Sequence, residues 1–92
     1  MSEVEIRVEG TPNPNAAKFT LSRPLPSDES RSYFDAASAA GDPLAERLFG
    51  VKGVEALLMV DNFITVTKVE SARWDELVPP IRTAIREALS EG

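Results

Sequence analysis

The sequence contains no cysteine and no histidine, and these two absences exclude much metal and nucleophile chemistry. A chain without thiolates or imidazoles cannot form disulfides, hold an iron–sulfur cluster by cysteine, build the usual zinc site or activate a nucleophile with histidine. Carboxylates remain as ligands for hard cations, but they are dispersed and show no calcium-loop spacing. We therefore expect no catalytic residues, no metal site and no directly bound cofactor.

Long apolar runs and an excess of positive charge are missing as well. No apolar run approaches the roughly 20 residues that a bilayer requires, and the acidic N-terminus lacks the basic and apolar regions of a secretory signal. Fifteen acidic residues against ten basic residues give a net charge of −5, which opposes non-specific binding to nucleic acid. The sequence predicts a cytoplasmic protein that binds neither membranes nor nucleic acids.

The residues that are present fit a small globular protein. The chain has 92 residues, of which 42% are apolar and 27% are charged, values that are ordinary for a globular domain. A chain of this length has no room for two independent cores. We predict a single domain spanning residues 1–92.

Two strands are predicted near the N-terminus. Apolar and charged residues alternate over residues 4–9, which is the period of a strand with one buried face, and a similar alternation surrounds residue 19. We expect these strands to pair antiparallel. Their core-facing residues are Val4, Ile6, Val8, Phe19 and Leu21.

A short third strand and a helix are predicted next along the chain. Residues 32–36 include two aromatic side chains, which favour a strand. Asp42 and Pro43 suit the N-cap and the first position of a helix, and Gly50 stands where such a helix commonly ends. The sequence therefore predicts a helix of about two turns.

A hairpin is predicted around the Asp-Asn pair at residues 61–62, since both residue types tolerate the positive φ of a tight turn. With a two-residue turn, Val60 faces Phe63 and Glu55 faces Lys68. Cross-strand partners share a face. One face then carries Leu57, Met59, Ile64 and Val66, and the other carries Ala56, Leu58, Val60, Phe63, Thr65 and Thr67.

The last segment predicts an amphipathic helix, with Ser71 as N-cap and Trp74 on the apolar stripe. Pro79 and Pro80 remove two backbone donors, so we expect a kink or a restart near Val78. The element order β-β-(β)-α-β-β-α predicts a two-layer α+β fold. Its mainly antiparallel sheet has four or five strands, with two helices on one face and the other face open.

The proline- and asparagine-rich loop at residues 11–15 is the first candidate binding element. The prolines fix its backbone, so Asn13 and Asn15 would present amide groups to a partner. Alternatively, the asparagines bond their own backbone and close the turn between the first two strands.

The open sheet face is the second candidate. If Leu58, Val60 and Phe63 are exposed together, they form a patch of the kind that binds a protein. Alternatively, the segment 23–41, with its two aromatic residues, folds over this patch. Lys18 ends a strand beside polar neighbours and is a candidate contact for an acidic partner, with a purely structural role as the alternative.

Four separated stretches carry a family resemblance: residues 11–19 (TPNPNAAKF), 48–54 (LFGVKGV) and 61–68 (DNFITVTK), followed by Trp74. Together they resemble, in the same order, the N-terminal domain of Nfu/NifU-type iron–sulfur cluster scaffold proteins. The resemblance extends from about Val4 to Leu89. It implies a link to iron–sulfur cluster assembly or delivery.

In the family's longer members, this domain precedes a second domain whose Cys-x-x-Cys motif holds the cluster. We expect the present chain to act as the accessory half standing alone, a non-catalytic interaction module that is not itself a cluster ligand. The expected partner is a Cys-bearing iron–sulfur scaffold, carrier or client protein. The predicted partner-binding residues are Asn13, Asn15, Lys18, Leu58, Val60 and Phe63.

A second hypothesis keeps the fold but drops the iron–sulfur role. The chain would then be a small structural or regulatory domain that acts as a homodimer through the open sheet face or binds an unrelated protein. Both hypotheses are compatible with a monomer or a weak homodimer.

Overall fold

The computed structural model describes residues 5–22, 24–25 and 30–90, the last without its side chain. These residues form a five-stranded sheet of order β1-β2-β5-β4-β3, in which every neighbouring pair is antiparallel. The predicted α+β fold is confirmed, with five strands. The elements are β1 (Ile6–Gly10), β2 (Ala16–Leu21), β3 (Arg31–Tyr33), a 3-10 turn (Ala37–Ala39), α1 (Pro43–Phe49), β4 (Val54–Val60), β5 (Phe63–Lys68) and α2 (Trp74–Ser90).

One core lies between the sheet and the two helices. The predicted inner face of the hairpin is confirmed, because Leu57, Met59, Ile64 and Val66 are all buried there. On the edge strand β1, residues 6 and 8 pack against this core while remaining partly exposed, and Val4 lies outside the described residues. The largest fully buried side chains are Phe19, Ile64 and Val66 from the sheet and Leu48, Ile81 and Ile85 from the helices.

The β4–β5 hairpin has the predicted two-residue turn, with Asp61 at a φ of 49°. Val60 pairs with Phe63 as expected. The prediction that Glu55 faces Lys68 is wrong, since the register shifts between residues 54 and 56 and places Val54 opposite Lys68. The extra residue of this bulge reorients the start of β4.

The third strand is shorter than predicted, covering Arg31–Tyr33 rather than residues 32–36. Asp42 anchors this strand to the helix layer. One carboxylate oxygen, Oδ2, accepts hydrogen bonds from the Tyr33 hydroxyl at 2.8 Å and from Arg31 Nη1 at 3.2 Å. Hydrogen bonding and the charge interaction with Tyr33, and after them the charge of Asp42, raise the pKa of Arg31 above its ordinary value. The other oxygen, Oδ1, caps α1 as predicted by accepting from the Ala45 N–H at 3.2 Å.

Helix α2 begins later than predicted and is not interrupted. Its first turn follows Arg73, whose carbonyl accepts from the Leu77 N–H at 3.1 Å, so the prediction of Ser71 as N-cap is wrong. Of the predicted kink or restart, the restart is wrong, because the helix continues through Pro79 and Pro80. Both rings lie on the exposed side of the helix, where water can bond the carbonyls that the prolines leave without donors.

Neither helix, as far as the chain is described, combines the length and the apolar composition needed to cross a bilayer.

Candidate functional site

The loop at residues 11–15, called here the asparagine loop, is held by hydrogen bonds within the chain. Asn13 Oδ1 accepts from the Asn15 N–H at 2.9 Å, which closes an Asx turn. The Thr11 hydroxyl lies 3.1 Å from the Asn13 N–H and 3.0 Å from the Ala16 carbonyl. At the far side of the loop, the Pro14 carbonyl accepts from Trp74 Nε1 at 3.0 Å. The loop is therefore fastened to both the sheet and helix α2.

Lys68 is the unexpected member of this region, a lysine with only 8% of its surface exposed. Its ammonium donates to Asn15 Oδ1 at 3.0 Å and to the Val69 carbonyl at 3.4 Å. It also lies 6.0 Å from the centre of the Trp74 ring, a distance at which a cation and an aromatic face attract. Lys68 thus ties the asparagine loop to the end of β5.

The sequence held a signal for this arrangement that our prediction missed. Lys68 follows Ile64 and Val66 at the two-residue period of a strand, so it belongs to the helix-covered face. The pairing predicted with Glu55 put Lys68 on this face but gave it the wrong partner. A lysine at the end of a buried strand face indicates a polar partner near the core, which here is Asn15.

The open sheet face carries most of the other predicted binding residues. Leu58 is 38% exposed, and Val60 and Phe63 are half-buried beside it. The register places Lys18 next to Thr65 and Thr65 next to Leu58, so these side chains share the face. The predicted division of the hairpin into a buried face and an open face is confirmed.

Lys18 and Phe63 form a contact on this face. The Lys18 ammonium lies 4.4 Å from the centre of the Phe63 ring, within the range of a cation–π interaction. Two residues after Lys18 on the same strand, Thr20 has a buried hydroxyl with no hydrogen-bond partner among the described residues. The face therefore combines an apolar centre with a cation and an unsatisfied polar atom at its side.

The alternative in which aromatic residues of segment 23–41 cover this face is wrong for both residues. Tyr33 pairs with Leu57, which faces the helices, and its hydroxyl reaches Asp42 on that side. Phe34 is 77% exposed. Of the other residues in this segment, Leu25 lies in the core, and positions 23 and 26–29 are outside the described residues.

The predicted site residues fall into two separate groups. Lys18, Leu58, Val60 and Phe63 lie together on the open sheet face. Asn13 and Asn15 lie in the asparagine loop, and the oxygen of Asn15 points to Lys68 on the helix side. Within the described ranges, no three acidic side chains converge in a way that could hold a metal ion.

Comparison with protein families matches residues 6–92 to the family described as "Scaffold protein Nfu/NifU N terminal". The chain is 35% identical over 88 residues to the human protein named "NFU1 iron-sulfur cluster scaffold homolog, mitochondrial". That match covers 95% of this chain and 35% of the human protein. A second relative, "NifU-like protein 4, mitochondrial" of Arabidopsis thaliana, is 33% identical over 87 residues, covering 95% of this chain and 31% of the plant protein. The chain spans about a third of the length of these relatives.

Solved structures share the fold. A solution structure of a NifU-like protein from Saccharomyces cerevisiae superposes with a TM-score of 0.84 at 26% identity, covering 98% of this chain and 82% of the yeast chain. A crystal structure of a Staphylococcus aureus protein gives a TM-score of 0.73 at 27% identity, with 87% of this chain and 96% of that chain covered. These similarities extend over nearly all of the described elements.

Proposed function

The chain belongs to the family of Nfu/NifU scaffold N-terminal domains, and we propose that it is a non-catalytic protein-interaction module of iron–sulfur cluster assembly or delivery. The observation that carries this proposal is a family match over residues 6–92 in a chain that has no cysteine and no histidine. A cluster needs such ligands, so this chain would contribute to the process by binding proteins rather than iron.

The partner in this proposal is a Cys-bearing scaffold, carrier or client protein. Docking would hold the cluster-bearing domain close to its recipient and raise the effective concentration of one for the other. Such a role requires a surface and no reacting groups. The dispersed acidic residues and the absence of a metal-holding cluster among the described residues are consistent with it.

The open sheet face is the surface that we assign to this docking. Leu58, Val60 and Phe63 supply an apolar centre, and Lys18 beside them supplies a positive charge for an acidic rim on the partner. The asparagine loop is the weaker candidate, since its side-chain oxygens are already bonded to Asn15 N–H and to Lys68.

The test is a titration of the isotope-labelled chain with the Cys-x-x-Cys domain of an Nfu-type scaffold, in apo and cluster-loaded forms. We expect saturable amide shifts around Leu58 and Phe63. The substitution Phe63→Glu should weaken binding about tenfold or more, because it places a charge at the apolar centre. Phe34→Glu is the matched control, because Phe34 is 77% exposed and lies outside the patch of Leu58, Val60 and Phe63. This variant should bind the partner as tightly as the unaltered chain does.

The outcome that would refute the proposal is the absence of shifts at millimolar partner in both the apo and the loaded form. Circular dichroism of Phe63→Glu must match that of the unaltered chain for its loss of binding to count. Equal weakening by Phe63→Glu and Phe34→Glu would show that docking does not use the open sheet face.

The same apolar centre favours one alternative, a homodimer formed through the open sheet faces of two copies. Sedimentation at high protein concentration distinguishes this homodimer from a monomeric docking module. A dimer that Phe63→Glu dissociates would support the alternative, whereas a monomer throughout the concentration range would exclude it.

A further inference from the structure

Strand β1 lies at the outer edge of the sheet, and among the described residues no strand pairs with its outer side. The Ser22 N–H donates to the Glu5 carbonyl at 2.9 Å. Backbone groups of successive residues in an antiparallel strand point alternately to either side. The backbone groups of Arg7 and Glu9 therefore also point toward β2, and those of Ile6, Val8 and Gly10 point outward.

An apolar groove runs beside this edge, between β1 and the first turns of α2. The cavity has a volume of about 250 Å³, and its lining includes Val8, Pro14, Ala17, Trp74 and Val78. Because Val8 is only partly buried, the helix layer leaves this side of the edge strand incompletely covered.

An unsatisfied donor lies next along the same flank of the helix. Arg82 follows Val78 by one helical turn, and its Nε is buried with no hydrogen-bond partner in the described part of the chain. Buried polar groups in proteins are nearly always paired.

The opposite face of β1 carries a pattern of charge. Glu5, Arg7 and Glu9 are exposed and alternate in sign along the strand. Opposite charges directly across two strands attract, and like charges repel. A strand added to this edge is therefore favoured when its own charges run basic, acidic, basic.

From this edge, groove and charge pattern, we propose that β1 binds an extended segment of a partner protein by strand addition. The segment runs antiparallel to β1. Its apolar side chains alternate with charged ones, and they enter the groove beside Val78 while a basic–acidic–basic series meets Glu5, Arg7 and Glu9. Backbone hydrogen bonds supply affinity, and the alternating side chains supply specificity, as in other modes of peptide addition to a sheet edge.

A second copy of this chain fits the same edge less well. Outward-facing residues must meet each other, so two β1 strands can pair with Val8 opposite Val8, with Ile6 opposite Val8, or with Ile6 opposite Ile6. The second register sets Arg7 against Arg7 and Glu5 against Glu9, which are repulsive pairs. The first register leaves Glu5 without a basic partner, the third leaves Glu9 without one, and each copy carries a net charge of −5. A partner with complementary charges avoids both difficulties.

This inference adds a second surface to the proposed docking module and rests on the proposed function only in requiring a partner protein.

The probe is a capped peptide of sequence Gly-Lys-Val-Glu-Val-Lys-Gly, titrated into the labelled full chain. We expect saturable shifts of the Ile6, Val8 and Gly10 amides and of the Trp74 indole. The same peptide with both valine nitrogens methylated should bind at least tenfold more weakly, because those nitrogens face β1.

A charge exchange tests the specificity. Arg7→Glu should weaken binding of this peptide about three- to tenfold, and it should strengthen binding of the peptide in which lysine replaces the glutamate. Lys52→Glu is the matched control, since it makes the same charge change at an exposed position away from β1 and should alter binding by less than about twofold.

Three outcomes would overturn the inference. The first is a set of peptide-induced shifts on the open sheet face with none on β1. The second is equal affinity for the methylated and the unmethylated peptide. The third is a change of the Ile6 and Val8 shifts on dilution without peptide, which would identify a second copy as the occupant. Peptide binding at β1 without any binding of the Cys-x-x-Cys domain would refute the proposed function alone. If that domain binds but the peptide causes no shifts on β1, this inference alone is refuted.

Discussion

The asparagine loop and the open sheet face are the two candidate binding regions in the sequence, and the structure shows that they differ in how far their side chains are already bonded. In the loop, hydrogen bonds inside the chain occupy the side-chain oxygens of Asn13 and Asn15. On the open face, Leu58 keeps 38% of its surface exposed, beside a half-buried Phe63.

The difference lies in what each region would lose on meeting a partner. A partner of the loop would have to replace bonds that already exist, so little free energy is gained. A partner of the open face would remove apolar surface from water, which is favourable and does not require the hydrogen bonds of the loop to be replaced. An unusual string of residues is thus a weaker indication of a binding site than an apolar face that the described residues leave uncovered.

The largest effect on the asparagine loop is expected from removing Trp74. Its indole donates to the Pro14 carbonyl at 3.0 Å and packs 6.4 Å from the Phe19 ring, and it lies under Lys68. We expect Trp74→Ala to lower the free energy of unfolding by about 2–3 kcal/mol, less than for a fully buried aromatic residue. Urea unfolding followed by far-ultraviolet circular dichroism measures this. Trp74→Phe keeps a smaller aromatic ring and loses the hydrogen bond, so it should lower the free energy of unfolding by only about 1 kcal/mol. Equal losses for Trp74→Ala and Trp74→Phe would show that the ring adds nothing beyond the hydrogen bond.

The next largest loss of stability is expected when Lys68 is replaced. Lys68→Met retains an unbranched apolar stem but removes the donor to Asn15 Oδ1, leaving that oxygen without its partner. We expect a loss of about 1–2 kcal/mol in urea unfolding. In a double-mutant cycle with Asn15→Ala, the two losses should be less than additive by about 1 kcal/mol. Additive losses would show that the bond between Lys68 and Asn15 does not stabilise the loop.

Much of the fold follows from periodicity in the sequence. The two-residue alternation around Phe19, Ile64 and Val66 identified the inner face of the sheet, and Asp42 with Pro43 marked the start of α1. These elements are specified locally, by which side chains must leave water and by which residues cap a helix. Sequence reasoning predicts such features well.

The errors arose where distant contacts decide the local structure. The bulge at residues 54–56 interrupts the alternation of β4, and the hydrogen-bond partner of Lys68 is Asn15, which is 53 residues away in the chain. The prolines of α2 break a local rule without breaking the helix, because they lie on its exposed side. The groove beside β1 likewise exists only through the packing of the helix layer, so no short motif indicates it.

The Asx turn provides a smaller test of the loop. Asn13→Ala removes the acceptor for the Asn15 N–H, and we expect it to cost about 0.5–1 kcal/mol in urea unfolding. Asn13→Asp keeps an acceptor at the same position and should retain most of the stability. If Asn13→Ala leaves stability unchanged but abolishes binding of the Cys-x-x-Cys domain, the loop is a docking element and the comparison above is reversed.

The smallest effect on stability is expected on the open face. Leu58→Gln replaces a partly exposed side chain that pairs across to Thr65, so unfolding should change by no more than about 0.5 kcal/mol. Binding of the Cys-x-x-Cys domain should nevertheless weaken several-fold, because the substitution puts a polar group at the centre of the apolar patch. The buried neighbour on the same strand, Leu57→Gln, should do the opposite, with a loss of several kcal/mol in stability. If Leu58→Gln costs as much stability as Leu57→Gln, the open face is covered within the folded chain and cannot serve as the docking surface.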